Sequence, residues 1–569
     1  MPLALDRPFP PTWVPRNLDF DDPSKLAPLF DELETRASTK DLRAWLQDWS
    51  ELESAFYEEG SRRYVAMTCD TEDPAKEKRY LHFETVVTPF AKPRWQTLKE
   101  LYLKHPKRKR LPKSAYGMMD LHLENEAKLY REENVALEAR DSELRQQYQK
   151  IAGAMTATYD GREQTLAQLG KVLEETDRKR REEVWRLVAE RRLRDREALE
   201  ELYDKMVALR TRIGRNAGFR NYRDYVFRAK GRFDYGPREC LDFRKANEKA
   251  VVPALRRRHA RRKSLLGVDR LRPWDLAVDP QGREPLRPFK TAAELMDGCS
   301  RIFKRVHPDF HRMFEYIRSK GYLDLESRKG KAPGGYQTVF DVERVPFIFA
   351  NSAGLHRDVE TLLHEGGHAF HSLQCREREP RFNRDYPTEF AEVASMGMEL
   401  LGQPYLEEFY PKKDADRARA GHLEDLLTTY PWVATIDAFQ HWVYTTPEHG
   451  RDERKAAWAE LRRRLGGGEE WSGLEDALAH NWHRQLHLFT VPFYYIEYGI
   501  AQTGALQVWR NARRDRAGAI AAYRRGESLG WTRPLPGLFR AAGLRFDFGE
   551  RTIRPLISAA LEELEKLDA

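Results

Sequence analysis

The stretch that most constrains this chain runs from Asp358 to His371 and reads D-V-E-T-L-L-H-E-G-G-H-A-F-H. It contains His-Glu-x-x-His at His364, Glu365 and His368. Helical residues four apart project from one face, about one turn from each other. His364 and His368 therefore present two imidazoles suited to one tetrahedral zinc. Glu365 projects beside them, near enough to take a proton from a water at the metal without being a ligand. Asp358 is expected to cap the helix, with Val359, Leu362, Leu363 and Phe370 as its apolar positions. Gly366 and Gly367 oppose a free-standing helix, each costing about 1 kcal/mol relative to Ala. They make sense in mid-helix where a neighbouring backbone or a bound substrate comes close. The competing reading is an amphipathic helix with two satisfied histidines.

Zinc needs a third protein ligand, with a fourth position left to water. The pattern H-E-x-x-H-x-x-G-x-x-H would supply a histidine, but His371 occupies its glycine position and Gln374 its last position. His371 is expected to support the helix or the rim of the site. The acidic candidates are Glu377, Glu379, Glu389, Glu392 and Glu399. Glu392 falls in the middle of a helical run, Pro387–Leu400, among small and apolar residues, a poor place for a carboxylate without a partner. Glu399 lies two turns further along that face and can hold a ligating imidazole in its tautomer. Downstream, if Pro492 opens a helix, Tyr494 and Tyr498 share a face, and with His487 they can donate to a developing oxyanion. Tyrosines at that spacing also serve as packing residues.

Composition narrows the class. A chain of 569 residues exceeds one core, so two or more lobes are expected. Charged residues make up 33% and the mean hydropathy is −0.75, which points to long solvated helices and no membrane association. The net charge of +8 does not mark a nucleic-acid binder. The basic run Lys104–Lys113 has no aromatic platform and reads as a solvated loop. Cys69, Cys240, Cys299 and Cys375 are scattered without CxxC, and the N-terminus lacks a basic-then-apolar segment, so a cytoplasmic location is expected.

Along the chain, residues 26–60 show helical spacing in Leu26, Leu29, Phe30, Leu33, Leu42, Leu46 and Trp49. Residues 155–160 read as a strand ending in an Asp-Gly turn, and 163–212 as helix throughout. Residues 265–290 form a loop. Residues 321–354 turn to strands around Pro333-Gly334-Gly335. Pro346 places Val345–Asn351 at a sheet edge or bulge, where Phe347–Asn351 can pair with an extended peptide.

The sequence resembles the oligoendopeptidase F and thimet oligopeptidase family of zinc metallopeptidases. The resemblance is carried by His364-Glu-Gly-Gly-His368, Phe390-Ala-Glu-Val-Ala-Ser-Met396 and Pro492-Phe-Tyr-Tyr-Ile-Glu-Tyr498. Gly218-Phe-Arg-Asn-Tyr222, Arg272-Pro-Trp-Asp-Leu276 and Lys331-Ala-Pro-Gly-Gly-Tyr336 are also similar. The likeness spans about residues 150–560. It implies a mainly α-helical, zincin-type fold with a small β-sheet beside the active-site helix and a deep interlobe channel. The lobes are expected at 1–185 and 186–569, the second catalytic. It further implies one zinc held by His364, His368 and Glu392, with Glu365 as general base. His487, Tyr494 and Tyr498 would bind substrate and stabilise the oxyanion. The implied activity is hydrolysis of internal bonds in short, unfolded peptides. A carboxydipeptidase of the same architecture and a zinc-containing peptide-binding protein without turnover are the alternatives.

Overall fold

The computed structural model describes residues 3–332 and 334–568, so Pro333 of the expected glycine-rich turn lies outside them. The fold is mainly α-helical with small sheets, as the sign-mixed helical stretches imply. Among the described residues no helix is long and apolar enough to cross a membrane. Contacts within the chain group into two units: Met1–Lys128 with Arg287–Arg419 and Gly504–Phe546, and Leu129–Leu286 with Ala420–Thr503 and Asp547–Ala569. The lobes expected at 1–185 and 186–569 are consecutive in sequence. Contacts instead assemble each unit from three separated stretches.

In the first unit, helix α1 (Leu42–Cys69) starts where the Asp41 carboxylate accepts from the Ala44 N–H at 3.1 Å. Its Leu42, Leu46 and Trp49 are buried with Leu26, Phe30 and Leu33, the residues whose spacing marked the helices. Helix α2 (Ala292–Val306) follows, capped by Thr291. Three strands come next, β1 (Leu323–Glu326), β2 (Tyr336–Phe340) and β3 (Val345–Ser352). Then come α3 (His356–Cys375), α4 (Thr388–Gly402) and, late in the chain, α5 (Arg516–Glu527).

The sheet runs β1-β3-β2, with β3 parallel to β1 and antiparallel to β2. This corrects the edge position expected for Val345–Asn351: the strand is central. Pro346 is tolerated because β1 pairs with β3 only from Ile348 onward. Backbone N–H groups alternate along a strand, and Ile348 donates towards β1, to the Tyr322 carbonyl at 2.9 Å. The missing N–H of Pro346 therefore faces the flank that β1 does not reach. Both flanks of Phe347–Asn351 are occupied around Ile348 and Phe349, so a peptide cannot add there, and β2 is an edge strand of this sheet. The buried Lys331 ammonium ties the sheet to the preceding loop, donating to Asp324 Oδ1 at 2.8 Å and to the Ala350 carbonyl at 2.7 Å.

The second unit is a set of helices around buried ion pairs. Arg210, on Arg196–Asn216, is fully buried and donates to Asp141 Oδ1 at 2.8 Å and to the Tyr444 hydroxyl at 2.9 Å. Thr156–Tyr159 and Arg162–Thr165 form the expected hairpin. Its turn is Asp160 and Gly161, at φ 50° and 72°. The unbroken helix expected over 163–212 is interrupted by that second strand and again at Asp195. Charge patterning alone does not distinguish an exposed strand from an exposed helix.

Candidate active site

Helix α3 begins at His356 with Leu355 at its N-cap, so Asp358 lies in the first turn and is not the cap residue expected. Its carboxylate reaches back to accept from the N–H groups of Leu355 at 2.9 Å and Ala353 at 2.7 Å. That satisfies backbone donors the helix start would leave open. Val359, Leu362, Leu363 and Phe370 are buried, which fixes the rotation of the helix about its axis. The two glycines set how close its neighbours come. A Cβ on Gly367 would stand 2.6 Å from both the Ala394 carbonyl oxygen and Ser395 Cα of α4. One on Gly366 would stand 2.7 Å from the Phe303 ring of α2. The expected close approach is thus made by a neighbouring backbone at Gly367.

That approach brings Glu392 to the histidines. Glu392 Oε2 lies 3.4 Å from His364 Nε2 and 3.6 Å from His368 Nε2. One ligand atom from each of the three residues lies within 4.8 Å of the others. The other acidic candidates are committed elsewhere or stand outside this group. Glu377 pairs with Arg7 at 3.4 Å and Glu379 with Arg384 at 3.2 Å. Glu389 is buried but does not belong to the group. Glu399 Oε1 meets His364 Nδ1 at 2.6 Å, the role its spacing suggested. Ser395 Oγ donates to Glu392 Oε2 at 3.0 Å. His371 is fully buried and stacks on Tyr386 with ring centroids 3.6 Å apart, so it packs the helix and does not form a rim.

The charges respond to this packing. Burial opposes the charged form of Glu392, but the hydrogen bond to His364 and the two imidazoles outweigh it and bring the carboxyl down to about 2. For His364, burial is outweighed by Glu392 and Glu399, which push the imidazole well up. Burial draws His368 down to about 4. Glu365 is 8% exposed, and burial pushes its carboxyl up to about 7 against the opposing pull of His364. Two imidazole nitrogens and a carboxylate oxygen turned to one point are a donor set that fits a zinc ion. Glu365 stands beside it as a carboxyl suited to carrying a proton.

In the second unit the structure gathers His487, Tyr494 and Tyr498. Ring centroids are 5.6 Å apart for His487 and Tyr494, 6.0 Å for His487 and Tyr498, and 5.1 Å for the two tyrosines. Pro492 does not open the helix as expected. The helix starts at Tyr495, after Phe493 at φ 62°. That left-handed residue is held on both sides. Its N–H donates to Gln440 Oε1 at 3.0 Å, and the Arg232 guanidinium donates to its carbonyl. The Trp432 indole donates to Gln485 Oε1 at 3.1 Å, which leaves the Gln485 amide N–H to donate to His487 Nδ1 at 2.8 Å. The His487 proton therefore sits on Nε2. Burial, then the Lys230 charge, lowers the His487 pKa.

Among the described residues a second group has metal-ligand geometry, Cys240 with Asp437 and His441. The sequence reading missed it. The available signal was the four-residue spacing of Asp437 and His441 within one helix. In the basic run Lys104–Lys113, Arg108 is taken up by Asp120 and by Glu124, the latter at 3.0 Å.

Residues 172–553 match the model of peptidase family M3. Over 258 residues the chain is 25% identical to group B oligopeptidase PepB of Streptococcus agalactiae serotype III (strain NEM316), covering 44% of this chain and 41% of that protein. The chain spans less than half the length of the curated relatives it matches. Solved structures align over almost the whole chain. One is PZ peptidase A with an inhibitor, at 28% identity and TM-score 0.88, covering 97% of this chain and 98% of that one. Another is an oligoendopeptidase F homologue from Bacillus anthracis str. Ames, at 25% identity and TM-score 0.84, covering 97% of each chain.

Proposed function

This chain belongs to peptidase family M3, and from that premise we propose that it is a zinc metallopeptidase hydrolysing internal bonds of short, unfolded peptides. The observation that carries the reading is the meeting of His364, His368 and Glu392 within 4.8 Å of one another, with Glu365 next to His364 on α3. Zinc held by these three residues would supply a Lewis acid and bring the pKa of the attacking water towards about 7. Glu365 takes the proton of that water and passes it to the leaving amine. Its burial supports the task, since a carboxyl tuned near neutrality exchanges protons in both directions. Glu399 orients His364, and Ser395 orients Glu392. The resemblance assigns His487, Tyr494 and Tyr498 to binding the peptide and donating hydrogen bonds to its carbonyl, a role the Nε2 proton of His487 suits. Nothing in this scheme uses the basic run or a membrane, and a cytoplasmic peptide pool supplies the substrate.

The test is digestion of a mixed peptide library by the zinc-loaded protein and by Glu365→Gln, with products read by mass. The wild type should cut internal bonds. The variant should keep its zinc and lose about 10²–10⁴-fold in kcat. Full turnover in Glu365→Gln would remove the base. Release confined to C-terminal dipeptides, and abolished by amidating the C-terminus, would make the enzyme a carboxydipeptidase.

A further inference from the structure

We propose that Cys240, Asp437 and His441 form a second, structural metal site that takes a divalent ion of zinc type. All three residues belong to the second unit. Asp437 and His441 lie one turn apart on the helix Lys412–Thr445, and Cys240 lies on the helix Pro237–Ala246. Their ligand atoms all fall within 4.8 Å of one another. His441 Nε2 stands 3.4 Å from Asp437 Oδ2.

Two polar atoms of this group have no hydrogen bond. Asp437 is 2% exposed, yet its Oδ1 has no hydrogen-bond partner, and neither does the buried His441 Nε2. A buried carboxylate oxygen and an imidazole nitrogen left bare are a costly pair. A cation placed among them accounts for both. The charge sum agrees. A divalent ion with the Asp437 carboxylate and the Cys240 thiolate is neutral; the nearby Arg232 pairs with Glu497 at 2.7 Å, a carboxylate that Lys230 shares at 3.1 Å. Sulfur, nitrogen and carboxylate oxygen together favour zinc over calcium or magnesium.

The same three residue types can form a nucleophilic triad, but this group does not fit one. Cys240 is 1% exposed, and burial followed by the Asp437 charge pushes its thiol well up, so it is neither accessible nor activated. Loading the site would form the metal–sulfur bond and release the thiol proton to solvent. The Phe227 and Phe493 rings flank His441, with centroids 5.8 Å and 5.4 Å away. Gln440, next to His441, holds the N–H of Phe493. An ion here would pin Lys412–Thr445 against Pro237–Ala246.

The experiment uses the full chain loaded with zinc, dialysed against metal-free buffer and assayed for metal and protein. Wild type should carry two equivalents of zinc. Cys240→Ser and Asp437→Asn should each carry one, and Glu392→Ala should carry the other one. The cobalt-loaded protein should show a near-ultraviolet thiolate-to-cobalt band in wild type and in Glu392→Ala, absent in Cys240→Ser. A single equivalent in wild type, lost in Glu392→Ala and without the thiolate band, overturns the proposal. That result leaves the peptidase reading intact. Should the Cys240 and Asp437 variants fail to fold, the wild-type stoichiometry and band decide alone.

Discussion

The two donor groups share a plan. Each takes a pair four residues apart on one helix, His364 with His368 and Asp437 with His441, and a third donor from another helix, Glu392 or Cys240. They differ in what lies behind the donors. Glu399 engages the far nitrogen of His364 at 2.6 Å, and Ser395 supports Glu392 at 3.0 Å. At the other group, an oxygen of Asp437 and a nitrogen of His441 remain bare. A group whose outer atoms are already assigned holds its ligands in one orientation, which catalysis requires. At the other group the bare atoms are the ones that would meet the ion, so they mark an open site and do not show how its ligands are aimed. Similar ligand arithmetic can thus yield a reaction centre or a staple, and the surrounding hydrogen bonds separate the two.

The comparison breaks first at the third ligand. Glu392→Ala should abolish metal binding at the His364 and His368 site and with it peptide hydrolysis, whereas Glu389→Ala should keep both, with metal content and turnover measured together. Loss of metal in Glu389→Ala alone would move the ligand. The next effect is smaller. Glu399→Gln should weaken metal affinity about 10–100-fold, because the tautomer and basicity of His364 are no longer set by a carboxylate. Competition against a chelator of known affinity measures it. An unchanged affinity would mean that the outer hydrogen bonds do not distinguish the two groups.

How far the sequence revealed this follows from the range of each interaction. The helix pair was legible because His364, His368 and the apolar positions of α3 obey one local period. Glu399 was legible for the same reason, two turns beyond Glu392 on α4. The sheet was not. Pro346 marks a strand position with no donor, which is a local fact. Whether that strand is central depends on where β1 ends, a long-range fact. The cap of α3 was misread by three residues, since Asp358 can serve a helix start from inside the first turn as well as from before it. Cys240 and His441 are far apart in sequence, and nothing in the spacing of Asp437 and His441 indicates which cysteine they face.

Gly367 carries the approach that joins α3 to α4, and replacing it sharpens the contrast by a smaller amount. Alanine gains about 1 kcal/mol of helix propensity. The added Cβ would meet the backbone of Ala394 and Ser395 at 2.6 Å, where no side-chain rotation can relieve the clash. Overpacking of that kind costs about 1–3 kcal/mol. Gly367→Ala should therefore lower the thermal midpoint and weaken metal binding at Glu392, while the Cys240 group keeps its ion. A midpoint that rises would show that the two helices can part without loss.

The smallest effect is a pH dependence at the far end of α3. Glu527, on α5, is fully buried. Burial pushes its carboxyl up to about 8, against hydrogen bonds with Tyr523 and Gln374. A folded-state value above the unfolded one means that the folded chain keeps this proton where the unfolded chain has lost it. Stability therefore falls as pH rises from the ordinary carboxylate range, about 4.3, to about 8, and this group costs nothing below that window. Glu527→Gln removes the ionisation and keeps a similar shape. It should raise the thermal midpoint by a few degrees above the window and leave it unchanged below. A shift of equal size at both ends would assign the effect to packing. The Gln374 contact makes the measurement relevant to the site, because Gln374 lies on the same helix as His364 and His368, and Cys375 beside it donates its S–H to the Glu527 carbonyl at 2.8 Å. Charging Glu527 would thus loosen the C-terminal turn of α3 before it reached the ligands. Metal affinity should change with pH less in Glu527→Gln than in wild type above neutrality.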